Sequence, residues 1–335
     1  MTGFQSLSVI GGGAWGTALA NLAACNAVAT RLWAREQTVV DAVNSRHENT
    51  VYLKRVPLNP ALKAESEMAR MGADAYLFVV PAQHARSVIP DLKAVAPADA
   101  PVALCSKGVE NGADLLMTEV FAEVWPDARL AVLSGPSFAR DVAEGLPTAI
   151  TLACPDDALA ARWTETIGAP HFRPYHSTDL IGAELGGAVK NVLAIAAGAV
   201  EGRGLGESAR AALIARGFAE FQRLGVAMGA QPETMAGLSG LGDLILTATS
   251  KQSRNMSLGV ALGRGDPLET VLAERNSVSE GVATAQSVVN LGRRAGVDLP
   301  ICEAVADLVA GTKTMDEIIT ELLSRPFKTE GRTGR

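Results

Sequence analysis

Few side chains in this sequence could move a proton inside an apolar surrounding, and Lys190 is the clearest. It interrupts the run Ile181-Gly182-Ala183-Glu184-Leu185-Gly186-Gly187-Ala188-Val189-Lys190-Asn191-Val192-Leu193-Ala194-Ile195-Ala196-Ala197. At helical spacing its neighbours are Ala183, Gly186, Gly187, Leu193, Ala194 and Ala197, nearly all small, which leaves room beside an amine. A lysine held among apolar groups has a lowered pKa and exchanges protons near neutrality, as a general acid or base must. The competing reading is a lysine at the edge of a core helix whose stem is buried and whose tip reaches water. Local sequence leaves both open.

A second group suits a multiply charged anion. Gln252-Ser253-Arg254-Asn255 precedes a helical run from Met256 to Gly263, so Ser253, Arg254 and Asn255 put a capping hydroxyl, a guanidinium and an amide at one helix start. The helix dipole and a bidentate arginine both favour a phosphate there, and a plain serine cap with an exposed arginine gives the same letters. Lys107 follows the run Val102 to Cys105, and Gly135 and Ser137 lie in Ser134-Gly135-Pro136-Ser137-Phe138-Ala139, after another β-rich run. Open α/β sheets bind ligands at the carboxyl ends of their strands, although a surface lysine and a turn with Ser137 as N-cap read equally simply. Asp243, in Gly240-Leu241-Gly242-Asp243-Leu244, has the chemistry to orient a lysine or to cap a helix.

Ser8-Val9-Ile10-Gly11-Gly12-Gly13-Ala14-Trp15-Gly16-Thr17-Ala18 sets a G-x-G-x-x-G between a strand and an Ala-rich helix. Gly11 suits the tight turn, Gly13 the close approach of a pyrophosphate, and Gly16 the packing of helix on strand. With strand, turn and helix in agreement, the segment reads as a dinucleotide site whose anion rests on free N–H groups at the helix start. The strand expected to reach the ribose, Thr30 to Ala34, is followed by Arg35 and then Glu36. Arginine in that place suits the 2′-phosphate of NADPH, whereas an acid suits the 2′-hydroxyl of NADH; with Arg35 first, NADPH is favoured and NADH stays open.

These groups need rigid elements to hold them, and the composition allows such elements. The 335 residues are 48% hydrophobic and 20% charged, values of a globular chain, with 30 basic and 36 acidic residues for a net charge of −6. That balance argues against a general nucleic-acid or anionic-membrane surface and leaves a local basic pocket open. Cys25, Cys105, Cys154 and Cys302 are widely spaced, which fits reduced thiols and a cytoplasmic protein. The four histidines show no metal-binding spacing, so no metal is implied. The most apolar later run, Val192 to Val200, is shorter than the ~20 residues of a membrane span.

In the first half, β-rich runs alternate with helical patterns, the signature of βαβ units around a parallel sheet. Strands are expected at Leu7 to Ile10, Thr30 to Ala34, Ala75 to Val80, Val102 to Cys105 and Leu130 to Leu133, with Thr148 to Ala153 and His171 to Tyr175 as further candidates. Helices are expected near Ala14 to Cys25, Glu36 to Arg46, Ala82 to Ala94 and Ala113 to Val124. After Ser177 the period becomes helical to about Leu323. Residues 1–177 thus read as a dinucleotide-binding domain, 178–325 as a helical substrate domain and 326–335 as a flexible tail.

Taken together, GGGAWGTALA, LWAR, CSKGVE, SGPSFA with EGLPTAI, GGAVKNVLAI, GLSGLGDLILT, QSRN and SVSEGV resemble, in order, the bacterial-type NAD(P)-dependent glycerol-3-phosphate dehydrogenases over residues 5–325. The resemblance implies an α/β fold: a doubly wound Rossmann domain followed by an all-helical C-terminal domain of the 6-phosphogluconate dehydrogenase-like kind. It implies that Ala14, Trp15, Arg35, Lys107, Ala139, Arg254, Val278 and Glu280, with Gly11, Gly13 and Gly16, meet the cofactor. Lys190 would be the catalytic acid/base, with Lys107 and Asp243 beside it, and Gly135, Ser137, Ser253, Arg254 and Asn255 around the substrate. The implied reaction is reversible reduction of dihydroxyacetone phosphate to sn-glycerol 3-phosphate by NADPH or NADH, feeding glycerophospholipid synthesis in a homodimeric enzyme. A related lysine-dependent hydroxyacid dehydrogenase and a non-catalytic nucleotide sensor are the other readings. SVSEG differs from the more apolar residue usual before Glu280.

Overall fold

A computed structural model of the chain describes residues 2–273 and 280–326. The central β-rich runs are buried on both faces, so they pair side by side and are covered on each side by helices. In chain order the first half is β1 (Ser6–Ile10), α1 (Ala14–Cys25), β2 (Ala29–Trp33), α2 (Gln37–Arg46), β3 (Lys63–Glu65), β4 (Ala75–Phe78), α3 (Ala82–Lys93), β5 (Pro101–Leu104), α4 (Met117–Val124), β6 (Arg129–Ser134), α5 (Ala139–Ala143), β7 (Thr148–Ala153), α6 (Asp157–Ile167) and β8 (Phe172–Ser177). The strands form one sheet in the order β3-β2-β1-β4-β5-β6-β7-β8. Chain direction reverses its lateral progress between β1 and β4, and their carboxyl ends open the crevice where such sheets bind ligands.

Three features depart from the expected parallel sheet. β7 runs antiparallel to β6, and β8 then runs parallel to β7. β3 is an added edge strand of three residues, Lys-Ala-Glu, too short and too charged to carry an apolar signal. The fourth expected helix starts at Met117 rather than Ala113, because Gly112 and Asp114 hold positive φ values of 85° and 53° that no helix contains. Glu119 instead closes the helix start at Leu116, accepting its N–H at 2.7 Å.

The second half is α7 (Leu180–Gly202), α8 (Glu207–Ala227), α9 (Pro232–Ala236), a π-helical turn at Leu238–Gly242, α10 (Asp243–Thr249), α11 (Arg254–Arg264), α12 (Leu268–Ala273), α13 (Glu280–Ala295), α14 (Pro300–Ala310) and α15 (Met315–Leu323). Of the expected tail 326–335, all but Pro326 lies outside the described residues. α7 is long and apolar enough to cross a membrane, yet 89% of its most apolar window is buried within the protein, which marks it as the core helix of the second half. α11 lies almost backbone to backbone on it. A Cβ on Gly259 would stand 2.0 Å from the Ile195 carbonyl oxygen, and one on Gly198 would stand 2.1 Å from that of Met256. Glycines on both helices therefore set the spacing that brings the start of α11 beside the middle of α7.

The two halves are stitched together around the loop that follows β5. Glu184 of α7 accepts from the backbone N–H of Thr118 at 3.0 Å and from its hydroxyl at 2.6 Å, capping α4 from the other half of the molecule. From α13, Ser287 bonds Asn111 at 3.2 Å and Asn290 donates to Asp114 at 2.9 Å. The loop carrying Lys107 is thereby held from both sides.

Candidate active site

The glycine loop is built as its spacing requires. Gly11 has φ +130°, which excludes a side chain, and a Cβ on Gly16 would stand 1.9 Å from the Gly11 carbonyl oxygen. Gly13 differs: a Cβ there would meet nothing within 4 Å. The protein itself therefore does not need glycine at that position, whereas a ligand resting on the loop would. Gly13 is the N-cap of α1 and offers no side chain, and no acid lies in the first turn, so the helix itself sets no competing anion against the N–H groups there. Trp15 adds a buried indole N–H that has no partner among the described residues. Open backbone, free donors and positive dipole fit the pyrophosphate of a dinucleotide.

Arg35 follows β2, its side chain 79% exposed, with Nη2 3.5 Å from Glu36 Oε1. Ala139 is the first residue of α5, part-buried against the core that carries α1. Val278 lies outside the described residues.

The chemical centre forms where α7, α10 and the loop after β5 meet. Lys190 is only 8% exposed. Its ammonium donates to Asp243 Oδ1 at 2.6 Å and to the Thr247 hydroxyl at 3.1 Å. Lys107 donates to the other oxygen, Asp243 Oδ2, at 2.8 Å, and to the Gly135 carbonyl at 3.2 Å. One buried carboxylate thus holds two ammonium groups, and the Lys107 ammonium also stands 6.0 Å from the centre of the Trp15 ring. Burial pushes the Lys190 ammonium down from 10.5 to about 8; Asp243 opposes that shift and Lys107 adds to it. Asp243 is the first residue of α10 and its carboxylate serves the lysines.

Ser137 does not cap α5. The N-cap is Phe138, and the Ser137 hydroxyl donates to the Gly135 carbonyl at 3.1 Å, so both residues stay beside the oxygen that Lys107 also holds. At α11 the cap is as its sequence suggests, with Ser253 accepting from Met256 N–H at 3.2 Å and Arg254 the first helical residue. Asn255 is spent largely on the protein: its carbonyl accepts from Gly281 N–H at 3.2 Å and its amide donates to Asn191 Oδ1 at 2.9 Å. Asn191 in turn donates to the Lys107 carbonyl at 3.3 Å. This chain ties the starts of α11 and α13 to the loop of Lys107. Burial pushes the Glu280 carboxyl above its ordinary value, and Arg254, Lys190 and Lys107 oppose it in that order, so the three cations share one neighbourhood.

Two site residues were not singled out from the sequence. Asn191 follows Lys190 directly and has no signal of its own. Thr247 stands four residues after Asp243, one helical turn away, and that spacing is a cue available in the letters.

The chain is similar to known proteins over nearly all of its length. The family models for the N-terminus and C-terminus of NAD-dependent glycerol-3-phosphate dehydrogenase match residues 6–160 and 179–320. A protein of Parvibaculum lavamentivorans named glycerol-3-phosphate dehydrogenase [NAD(P)+] is 56% identical over 98% of this chain and 98% of its own. One of the same name from Caulobacter vibrioides is also 56% identical, over 98% and 99%. The crystal structure of glycerol-3-phosphate dehydrogenase from Coxiella burnetii superposes with a TM-score of 0.92 at 36% identity, covering 96% of this chain and 99% of that one. With its cofactor crevice, its paired lysines and both family models in register along its length, the chain belongs to the NAD-dependent glycerol-3-phosphate dehydrogenases.

Proposed function

We propose that the protein catalyses the reversible reduction of dihydroxyacetone phosphate to sn-glycerol 3-phosphate with NADPH or NADH. The observation that carries this reading is the Lys190 ammonium, buried, lowered to about 8 and bonded at 2.6 Å to Asp243. A reduced nicotinamide dinucleotide, when bound, supplies the hydride. Lys190 gives its proton to the substrate's carbonyl oxygen, so that charge does not build up there unopposed. Asp243 and Thr247 fix the Lys190 tip, and Lys107 adds positive charge beside it. Arg254, at the dipole end of α11, takes the phosphate, with Ser253 capping that helix and Gly135 and Ser137 beside Lys107. Asn255 serves chiefly by bracing α11 to Asn191. Binding energy from the distant phosphate positions the reacting carbon.

Gly11, Gly13, Ala14, Trp15 and Gly16 hold the cofactor's pyrophosphate end, Ala139 and Glu280 border it, and Arg35 reads the 2′-phosphate, which favours NADPH. In domain terms, 1–177 binds the cofactor and 178–325 completes the substrate cleft. Likeness to the family supports a cytoplasmic homodimer that supplies glycerophospholipid synthesis. The test is oxidation of NADPH and NADH with dihydroxyacetone phosphate, dihydroxyacetone and a β-keto acid, each also with Arg254→Ala. The phosphorylated ketone is expected to be preferred, and Arg254→Ala to raise its KM about a hundredfold while leaving dihydroxyacetone nearly unchanged. Preference for the keto acid would favour the hydroxyacid dehydrogenase reading.

A further inference from the structure

Beyond the glycine loop and Arg35, the cofactor crevice is bordered by a short segment after α2 that no motif singled out. Asn49 on it is fully buried, and among the described residues its side chain makes four hydrogen bonds. Its amide nitrogen donates to the Gly12 carbonyl at 2.9 Å and to the Thr17 hydroxyl at 2.8 Å. Its carbonyl accepts from the N–H groups of Val51 at 3.2 Å and Tyr52 at 3.0 Å. The same turn that fastens to the glycine loop therefore places Tyr52, whose hydroxyl donates to Glu36 Oε1 at 3.3 Å. That oxygen is also the one 3.5 Å from Arg35 Nη2. Burial, then the Glu36 carboxylate, raise the phenol above its ordinary 10.0, so it stays a donor at neutral pH.

We propose that Tyr52 is a positioning residue for cofactor choice, sharing the Glu36 carboxylate oxygen with Arg35 and so loosening that ion pair enough for Arg35 to engage a 2′-phosphate. The proposal rests on the reading of the crevice as a nicotinamide dinucleotide site. Three anionic or acceptor groups compete for one arginine: the 2′-phosphate of NADPH, the ribose 2′-hydroxyl of NADH and Glu36. A carboxylate released from the phenol pairs more fully with Arg35, repels the phosphate dianion, and accepts readily from a 2′-hydroxyl. Removing the hydroxyl should move the preference toward NADH. Asn49 gives the mechanism its footing, since its bond to the Tyr52 N–H fixes the backbone from which the phenol reaches Glu36.

The test is direct binding, by calorimetry or nucleotide fluorescence, of NADPH and NADH to the wild-type protein and to Tyr52→Phe, Glu36→Gln and the double variant. Phenylalanine keeps the ring that packs on the core, and Glu36 makes no side-chain capping bond at α2, so all three should fold. Tyr52→Phe is expected to lower the preference for NADPH over NADH about three- to tenfold, the weight of one hydrogen bond to a partly exposed charged group. In the Glu36→Gln background the same substitution should change that preference less than twofold, because the carboxylate it acts through is gone. An unaltered ratio in Tyr52→Phe overturns the proposal. So does an equal change in both backgrounds, which would make Tyr52 a direct contact of the nucleotide. Failure of the wild-type protein to bind either dinucleotide would instead overturn the functional reading beneath it.

Discussion

The Lys190 ammonium and the Asp243 carboxylate lie 2.6 Å apart on different helices, α7 and α10, and Asp243 spends its second oxygen on Lys107. A buried carboxylate bridging two ammonium groups fixes both tips while leaving net positive charge beside them. That excess is what an oxygen gaining negative charge requires.

Replacing Lys190 by alanine should lower kcat for dihydroxyacetone phosphate by about 10²–10⁴, the usual weight of a positioned proton donor. Circular dichroism would check that the chain still folds. Lys190→Arg should rescue little, since a guanidinium keeps charge but does not release a proton near neutral pH. Near-normal turnover in a folded Lys190→Ala protein would remove the lysine from the chemistry.

With Lys190 lowered to about 8, ketone reduction needs the protonated form and alcohol oxidation the neutral one. The ketone-reduction kcat should be flat below pH 8 and fall about tenfold for each further unit above it, while alcohol oxidation rises through the same range. Asp243→Asn removes the partner that raises this pKa, so both profiles should shift to lower pH.

Gly13 and Gly16 should separate folding from binding. Gly16→Ala places a Cβ 1.9 Å from the Gly11 oxygen and should lower both Tm and cofactor affinity. Gly13→Ala meets only open space, so Tm should stay within a few degrees of wild type, while Kd for NADPH rises at least tenfold. Equal affinity in Gly13→Ala would mean the pyrophosphate lies elsewhere.

Glu184 and Glu220 are buried carboxyls outside the chemistry. Glu184 caps α4, Glu220 of α8 accepts from Ile301 and Cys302 at the start of α14, and burial pushes each up to about 7. Their folded values exceed the unfolded value near 4.5, so the folded chain binds more protons between those limits. The stability they confer is complete below about pH 4.5 and is lost as pH rises through 7. Thermal melts from pH 4.5 to 8 should show this decline, and Glu184→Gln should flatten it by roughly 1–3 kcal/mol.

Local chemistry made much of the protein legible from its letters. Three glycines after a β-rich run dictate a tight turn opening a helix, because backbone conformation and closest approach are settled within a few residues. A serine before an arginine and an apolar run dictates a capped helix start for the same reason, and Lys190 stands out because its near neighbours on the helix are small. Tertiary structure decided what those local signals could not reach. Asp243 lies 53 residues from Lys190 and 136 from Lys107, and only the crossing of α7 with α10 and the loop after β5 makes one carboxylate serve both. The same holds for Asn255, whose letters suggested a phosphate ligand and whose amide braces Asn191, and for Tyr52, whose partner is set by the path of a loop. Spacing along the chain fixes which groups share a turn or a face, whereas the meeting of two distant side chains depends on how whole apolar faces pack, and that energy is spread over the core.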